Sequence, residues 1–248
     1  MPSLLAFDLD GTLVQSETLK AVSYGWAAHQ LRPDLPAERV ATAYGPLVGN
    51  SRETISRTLL EQFGLREAAL AHDPDQEPWR TYVGLRLERY RAMLADGDLL
   101  RRHTHPEALA LARHARRFSR HVALVTTSER WAADAILNAL GLQGRFDTVV
   151  TADDVPEVKP DPAGYRLALA RLGTDGPDAV ALEDSPAGVR AALRAGLRVF
   201  AVPTQYTRGP IGAMVEAGEL AAASVLAPAD LATTVRPLLS ASVTRPAP

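Results

Sequence analysis

The sequence predicts an α/β protein: a parallel sheet, with a block of helices inserted after its first strand. Three observations carry this. From about His121 onward, short and nearly continuous apolar runs alternate with amphipathic stretches, the pattern of strands covered on both faces and joined by crossover helices. The chain opens on another such run, Leu4-Leu5-Ala6-Phe7, which ends in Asp8-Leu9-Asp10-Gly11-Thr12-Leu13. Between them, residues 15–95 carry helical periodicity and poor strand signals.

The first strand is also the most informative chemically. Alternate residues of a strand share a face, so Asp8 and Asp10 can point into one site. Two carboxylates at the end of a hydrophobic strand are costly unless a cation or proton compensates. A packed core has no use for such a pair. A site that holds a metal ion and does chemistry on an anion does. The bland alternative is an ordinary Asp-Gly turn, and the apolar strand before it speaks against that.

The inserted block reads as successive helices at Glu17–Gln30, Ala37–Tyr44, Arg52–Phe63 and Trp79–Leu94, with a polar, proline-bearing loop at His72–Pro78. The expected organisation is a sheet domain of residues 1–14 and 96–235, a helical domain of 15–95, and a flexible tail of 236–248 whose end is small, polar and Pro-rich. The sheet resumes with strands at His121–Thr126, Asp147–Thr151, Ala179–Asp184 and Leu197–Val202. Helices at Ala132–Leu140, Ala163–Leu172 and Ala187–Ala195 separate them, and Gly141, Gly173 and Gly196 follow as C-caps.

Polar residues gather where the strands end: Asp8 with Asp10, Thr126 with Thr127 and Ser128, Asp153 with Asp154, Glu183 with Asp184. Ligands of open α/β sheets bind outside the carboxyl ends of strands. Distant parts of the chain are therefore expected to converge on one rim.

Composition narrows the function classes. Of 248 residues, 46% are hydrophobic, enough for a real core. The formal net charge of -2 provides no global field for nucleic acid or acidic membrane. The basic cluster Arg113–His121 accordingly reads as a solvated helix face. His103 and His105, before Pro106, read as a hinge back into the sheet domain. The absence of cysteine excludes disulfides, thiol catalysis and zinc–thiolate sites, and fits a reducing compartment. There is no basic n-region and no apolar run that could span a bilayer. The expectation is a cytoplasmic protein, a monomer or weak homodimer, with no nucleic-acid or membrane partner.

Four pieces then stand in order: Asp8-Leu9-Asp10-Gly11-Thr12, Thr126, Lys159-Pro160 and Glu183-Asp184-Ser185. Their order and spacing resemble the haloacid dehalogenase-like superfamily of phosphatases, over about residues 3–230. The inserted helices look like that family's type-1 cap, as in its beta-phosphoglucomutase and phosphoglycolate phosphatase members. The resemblance implies a Rossmann-like core with a helical cap. It implies a magnesium-dependent phosphomonoester hydrolase that acts on a small phosphorylated metabolite, such as a sugar phosphate, through an aspartyl-phosphate. Asp8 would be the nucleophile. Asp10 would protonate the leaving oxygen and then deprotonate water. Asp8, the Asp10 carbonyl and Asp184 would hold magnesium, with Glu183 beside it. Lys159 would offset the negative charge between nucleophile and phosphate. Thr126, with Thr127 as its neighbour, would hold the phosphoryl oxygens. Ser128 reads as a cap of the following helix, and Ser185-Pro186 is also a good helix start.

Substrate specificity would come from the cap. Leu47-Val48-Gly49-Asn50-Ser51-Arg52-Glu53 resembles a substrate-facing loop of such caps, which would set Gly49 and Arg52 at the non-reacting end of the substrate. Arginine suits a carboxylate or second phosphate there; equally, Ser51 is an N-cap with Arg52 solvated. The first cap helix departs from the family pattern, Leu-x-Asp-Ser-Glu-x-x-His. This chain reads Leu13-Val14-Gln15-Ser16-Glu17-Thr18-Leu19-Lys20. The missing His ranks a beta-phosphoglucomutase-like phosphotransferase behind the phosphatase. Lys20 either meets an anionic substrate or is solvated. Asp10 opposes dehalogenase and phosphonatase chemistries. An intact nucleophile opposes a third reading, a non-catalytic phosphate-ester-binding protein.

Overall fold

Each apolar run becomes a strand of one parallel sheet. The structure is a computed structural model that describes residues 1–231. Strands β1 (Leu4–Phe7), β2 (His121–Val125), β3 (Thr148–Val150), β4 (Ala179–Glu183) and β5 (Arg198–Ala201) stand in the order β3-β2-β1-β4-β5. The tail expected at 236–248 lies outside the described residues. In chain order the helices are α1 (Ser16–Leu31), α2 (Ala37–Tyr44), α3 (Arg52–Gln62), α4 (Arg66–His72), α5 (Pro78–Ala95), α6 (Gly97–Arg102), α7 (Pro106–His114), α8 (Arg130–Ala139), α9 (Ala163–Leu172), α10 (Pro186–Arg194) and α11 (Arg208–Glu216). The chain forms two compact units, Met1–Gln15 with Leu100 onward, and Ser16–Leu99. No helix among the described residues is long and apolar enough to cross a membrane.

In the sheet unit β1 is central. It pairs Leu4–Phe7 with His121–Leu124 on one side and with Ala179–Leu182 on the other. Leu4 and Ala6 share a face with Ala123, Val125, Ala179 and Ala181, and bury it against Tyr165, Ala168 and Leu169 of α9 and Val189 and Ala192 of α10. Leu5 and Phe7 alternate to the opposite face and are equally buried, Phe7 meeting Phe146 edge-on at 6.1 Å. Each such leucine or phenylalanine contributes about 1.5–3 kcal/mol by burial. β1 is therefore held from both faces, and the direction of whatever follows Phe7 is set. Backbone bonds from Gln15 N–H to the His103 carbonyl (2.6 Å) and from His105 N–H to the Leu13 carbonyl (3.0 Å) tie the segment after β1 to the one that leads into α7.

The helical unit packs around aromatic side chains. Tyr24 of α1 stacks on Tyr44 of α2 at 5.3 Å and lies 5.7 Å from Tyr82 of α5, whose hydroxyl donates to the Tyr24 carbonyl at 2.8 Å. Helix α4 has no counterpart in the sequence reading. It buries only Ala69, so apolar periodicity does not announce it.

One polar pair expected at the rim serves the fold. After β3, the Asp154 carboxylate accepts from the Thr151 N–H and hydroxyl, both at 2.8 Å, and pairs with Arg130 of α8 at 2.5 Å and Arg171 of α9 at 3.0 Å. Asp153 accepts from the Arg130 backbone N–H at 2.7 Å. Partial burial works against ionisation of Asp154. The Thr151 bonds and the two arginines outweigh it and hold the carboxyl well below the usual carboxylate range. Asp154→Ala should cost about 1–3 kcal/mol at neutral pH. A group whose folded pKa is depressed contributes above its unfolded pKa, so this contribution fades as pH falls below about 4. Urea titrations of wild type and variant should converge at acid pH; an undiminished gap at pH 3, on this scale, would remove the ion-pair account.

Candidate active site

The site stands at the carboxyl end of β1, between β2 and β4, where the strand order reverses. Such switch points are where open α/β sheets bind ligands. The register that pairs Ala6 with Ala181 continues past the strand, with the Asp8 N–H donating to the Leu182 carbonyl at 3.0 Å. By alternation Asp8 then shares a face with Glu183. The chain turns at once: Gly11 N–H bonds the Val14 carbonyl at 2.7 Å, and Leu13 and Val14 both bond the Leu9 carbonyl. Gly11 has φ +80, and a Cβ there would stand 2.2 Å from Asp184 Oδ2. Only glycine lets this turn lie against the end of β4.

Lys159 reaches into the same place from the loop before α9, next to a cis bond to Pro160. Its Nζ donates to Asp8 Oδ1 at 2.6 Å, to Glu183 Oε1 at 2.6 Å and to the Val125 carbonyl at 2.7 Å. All three ammonium hydrogens are thereby used, and the ends of β1, β2 and β4 are joined. Tyr165 of α9 donates its hydroxyl to the same Glu183 Oε1 at 2.5 Å, with its ring 5.2 Å from Lys159 Nζ. The second oxygen, Glu183 Oε2, is buried without a hydrogen-bond partner. Gly188, in the first turn of α10, leaves room for it; a Cβ would lie 1.9 Å away.

The charges do not balance. Asp8, Glu183 and Asp184 are all buried, and each offers an oxygen within 4.8 Å of the others. One ammonium faces them. Burial pushes the Asp8 carboxyl up to about 7, with Glu183 and Asp10 adding to the rise and Lys159 opposing it. Burial alone would lower the Lys159 ammonium; Asp8 and Glu183 outweigh it and hold it above its ordinary value. Excess negative charge, an all-oxygen donor set and an orphaned carboxylate oxygen fit a hard divalent cation such as magnesium.

Asp10 stands across the turn from Asp8. Its Oδ2 accepts from the Ser128 hydroxyl at 2.5 Å and more weakly from the Thr126 hydroxyl at 3.4 Å. The structure thus brings Asp8, Asp10, Thr126, Lys159, Glu183 and Asp184 together, while Thr127 is exposed at the turn after β2. Two contacts escaped sequence reasoning. Ser128 resembles a helix cap, yet Glu129 occupies the N-cap position of α8. Tyr165 lies at apolar helical spacing and reads as core.

The helical unit holds the remaining candidates. Gly49 is exposed with φ +96, and Arg52 is the exposed first residue of α3, which Ser51 caps by accepting from the Thr54 N–H at 3.1 Å. Lys20 pairs with Glu17 at 2.8 Å, and Glu17 also accepts from the Tyr44 hydroxyl at 2.5 Å. Burial first, and Glu17 second, raise the Tyr44 phenol well above its ordinary value, against Lys20 and Arg86. Arg86 is the residue the sequence did not mark. It is 3% exposed, lies 5.0 Å from the Tyr24 ring and 4.6 Å from the Tyr90 ring, and its Nε has no hydrogen-bond partner.

Comparison with known proteins identifies the family. The family model of haloacid dehalogenase-like hydrolases matches residues 2–196. Protein CbbY of Cereibacter sphaeroides is 34% identical over 211 residues, covering 84% of this chain and 87% of that protein. Phosphoglycolate phosphatase of Rhodospirillum rubrum is 31% identical over 215 residues, covering 86% and 85%. A crystal structure of CbbY from Rhodobacter sphaeroides in complex with xylulose-(1,5)bisphosphate superposes with a TM-score of 0.64 at 30% identity, covering 84% of this chain and 89% of that one.

The charge imbalance has a measurable consequence. An acid whose folded pKa is raised costs stability as pH climbs from its unfolded value, about 4, towards the folded one. Metal-free protein should therefore lose stability from about pH 4 to 7, and Asp8→Asn should remove that loss. At alkaline pH in chelator the variant should melt above wild type, and magnesium should raise the wild-type Tm more than the variant's. A variant that melts at or below wild type under those conditions would contradict the account.

Proposed function

The chain belongs to the haloacid dehalogenase-like hydrolases, and from that premise we propose that it is a phosphatase that cleaves a small phosphorylated metabolite through an aspartyl-phosphate on Asp8. The observation that carries this is the Lys159 ammonium, which bridges Asp8 and Glu183 at 2.6 Å each in a buried site. It braces one Asp8 oxygen and leaves the other to attack phosphorus. As that bond forms, the phosphorus–oxygen ester bond breaks, and Asp10 passes its proton to the leaving oxygen. Water then adds at phosphorus and loses a proton to Asp10, the Asp8–phosphorus bond breaks, and inorganic phosphate departs. Ser128 and Thr126 donate to Asp10 Oδ2, which would orient the carboxyl for these proton transfers. Thr126 and Thr127 would meet the phosphoryl oxygens. Asp8, Asp184 and the Asp10 carbonyl would hold magnesium, with Glu183 beside it, and the ion would neutralise charge on the phosphate.

Residues 16–99 would act as the cap that selects the substrate, through Gly49, Arg52 and Lys20. Arg86 joins them, because a buried guanidinium beside two rings, with no ion pair among the described residues, is a candidate for a second anionic group. The CbbY complex with a sugar bisphosphate supports the same substrate class. The proposed setting is cytoplasmic, as a monomer or weak homodimer.

Phosphate release from sugar monophosphates, sugar bisphosphates and small phosphorylated acids, with and without magnesium, tests the reading. Turnover should need both magnesium and Asp8, with Asp8→Asn at least about 10³-fold slower. Arg86→Met keeps the aliphatic stem and should raise KM about 10-fold or more for esters with a second anion, and less for those without one. Conversion of glucose 1-phosphate to glucose 6-phosphate without phosphate release would replace hydrolysis with phosphotransfer. Folded protein that binds magnesium but turns over nothing would favour a binding role.

A further inference from the structure

Phosphoryl transfer by Asp8 and Asp10 makes no use of Tyr165, yet its hydroxyl makes a short contact in the buried charge cluster. We infer that Tyr165 is a positioning residue: its phenol fixes the Glu183 carboxylate so that one oxygen braces Lys159 and the other is kept for the cation. This rests on the phosphatase reading and deepens it.

Glu183 is fully buried at the end of β4, and its two oxygens are treated very differently. Oε1 accepts from Lys159 at 2.6 Å and from Tyr165 at 2.5 Å; Oε2 accepts from nothing. Lysine alone cannot impose that asymmetry. An ammonium is a compact charge with rotatable donors, and a carboxylate that turned would present either oxygen equally well. The phenol is directional, and its position is fixed. Tyr165 is 0% exposed and packs within the cluster formed by Val125, Val150 and Leu169, so its hydroxyl meets one oxygen only. Two charge-assisted donors on Oε1 then hold the carboxylate plane. Oε2 is left beside Gly188, where no side chain competes for it. The same ring lies 5.2 Å from Lys159 Nζ, so it flanks both members of the pair.

Tyr165→Phe is the clean test, because it keeps the ring, the packing and the contact with the ammonium, and removes only the hydroxyl. Magnesium binding measured calorimetrically without substrate should weaken about 10-fold, and kcat should fall about 10–100-fold. KM for the preferred ester should move less than about twofold, while the lost bond to a buried carboxylate should lower the Tm in chelator by several degrees without unfolding the protein. In a Glu183→Gln background the same substitution should add little, since the phenol acts through Glu183. Wild-type magnesium affinity and kcat in Tyr165→Phe, or an equal loss with and without Glu183, would reduce Tyr165 to core packing. Should Glu183→Gln fail to fold, the binding isotherm and the kcat-against-KM split of Tyr165→Phe decide. Failure of the underlying reading looks different: wild type itself would then need neither magnesium nor Asp8.

Discussion

Everything at the carboxyl end of the sheet depends on one buried ammonium. Lys159 supplies the counter-charge in a place where burial pushes the Asp8 carboxyl towards neutrality and two more carboxylates, Glu183 and Asp184, are buried beside it. Its three hydrogens reach β1, β2 and β4 together. It compensates only part of the negative charge. The remainder is a set of buried carboxylates that could hold a metal ion.

The fold accommodates this cluster by close approach of backbone to carboxylate. Gly11 lets the turn after β1 lie on Asp184, and Gly188 lets α10 begin against Glu183. Both positions trade side-chain burial for proximity of backbone to carboxylate. The apolar strands carry the compensating stability: β1 and β4 are buried along their whole lengths. A rigid central strand with a strained electrostatic end is the arrangement expected of a preorganised site.

The helical unit treats its basic side chains differently. Lys20 is neutralised by Glu17, which Tyr44 also engages, so its charge is already spoken for. Arg86 is sandwiched by aromatic rings, where stacking and quadrupole attraction support a guanidinium without a carboxylate. Asp154 shows the reverse case, an acidic residue at a strand end that is fully engaged by two arginines and a threonine and serves only to fasten β3 to its helices.

Much of the architecture was legible in the chain. Short apolar runs, glycine stops and a helical block are local patterns, and local patterns survive without tertiary information. That is why the five strands and helices such as Ala163–Leu172 lie where periodicity places them. Helix α4 was not legible, because it buries a single alanine. The motif residues Asp8, Asp10, Thr126, Glu183 and Asp184 could be named from their types and their places at strand ends, and Lys159, in a loop, from the resemblance of the four pieces to the family. By itself, then, the sequence determined the α/β class, the family likeness and the residue types of the site. Tertiary structure decided the pairings. Strand register set Asp8 beside Glu183; the turn after β2 aimed Ser128 at Asp10; α9 carried Tyr165 to one oxygen of Glu183; and Asp154 went to the scaffold. The pairings of Asp8 with Glu183 and of Ser128 with Asp10 join residues more than a hundred positions apart, and those of Tyr165 and Asp154 depend on how α8 and α9 pack on the sheet, so no local window of sequence encodes them.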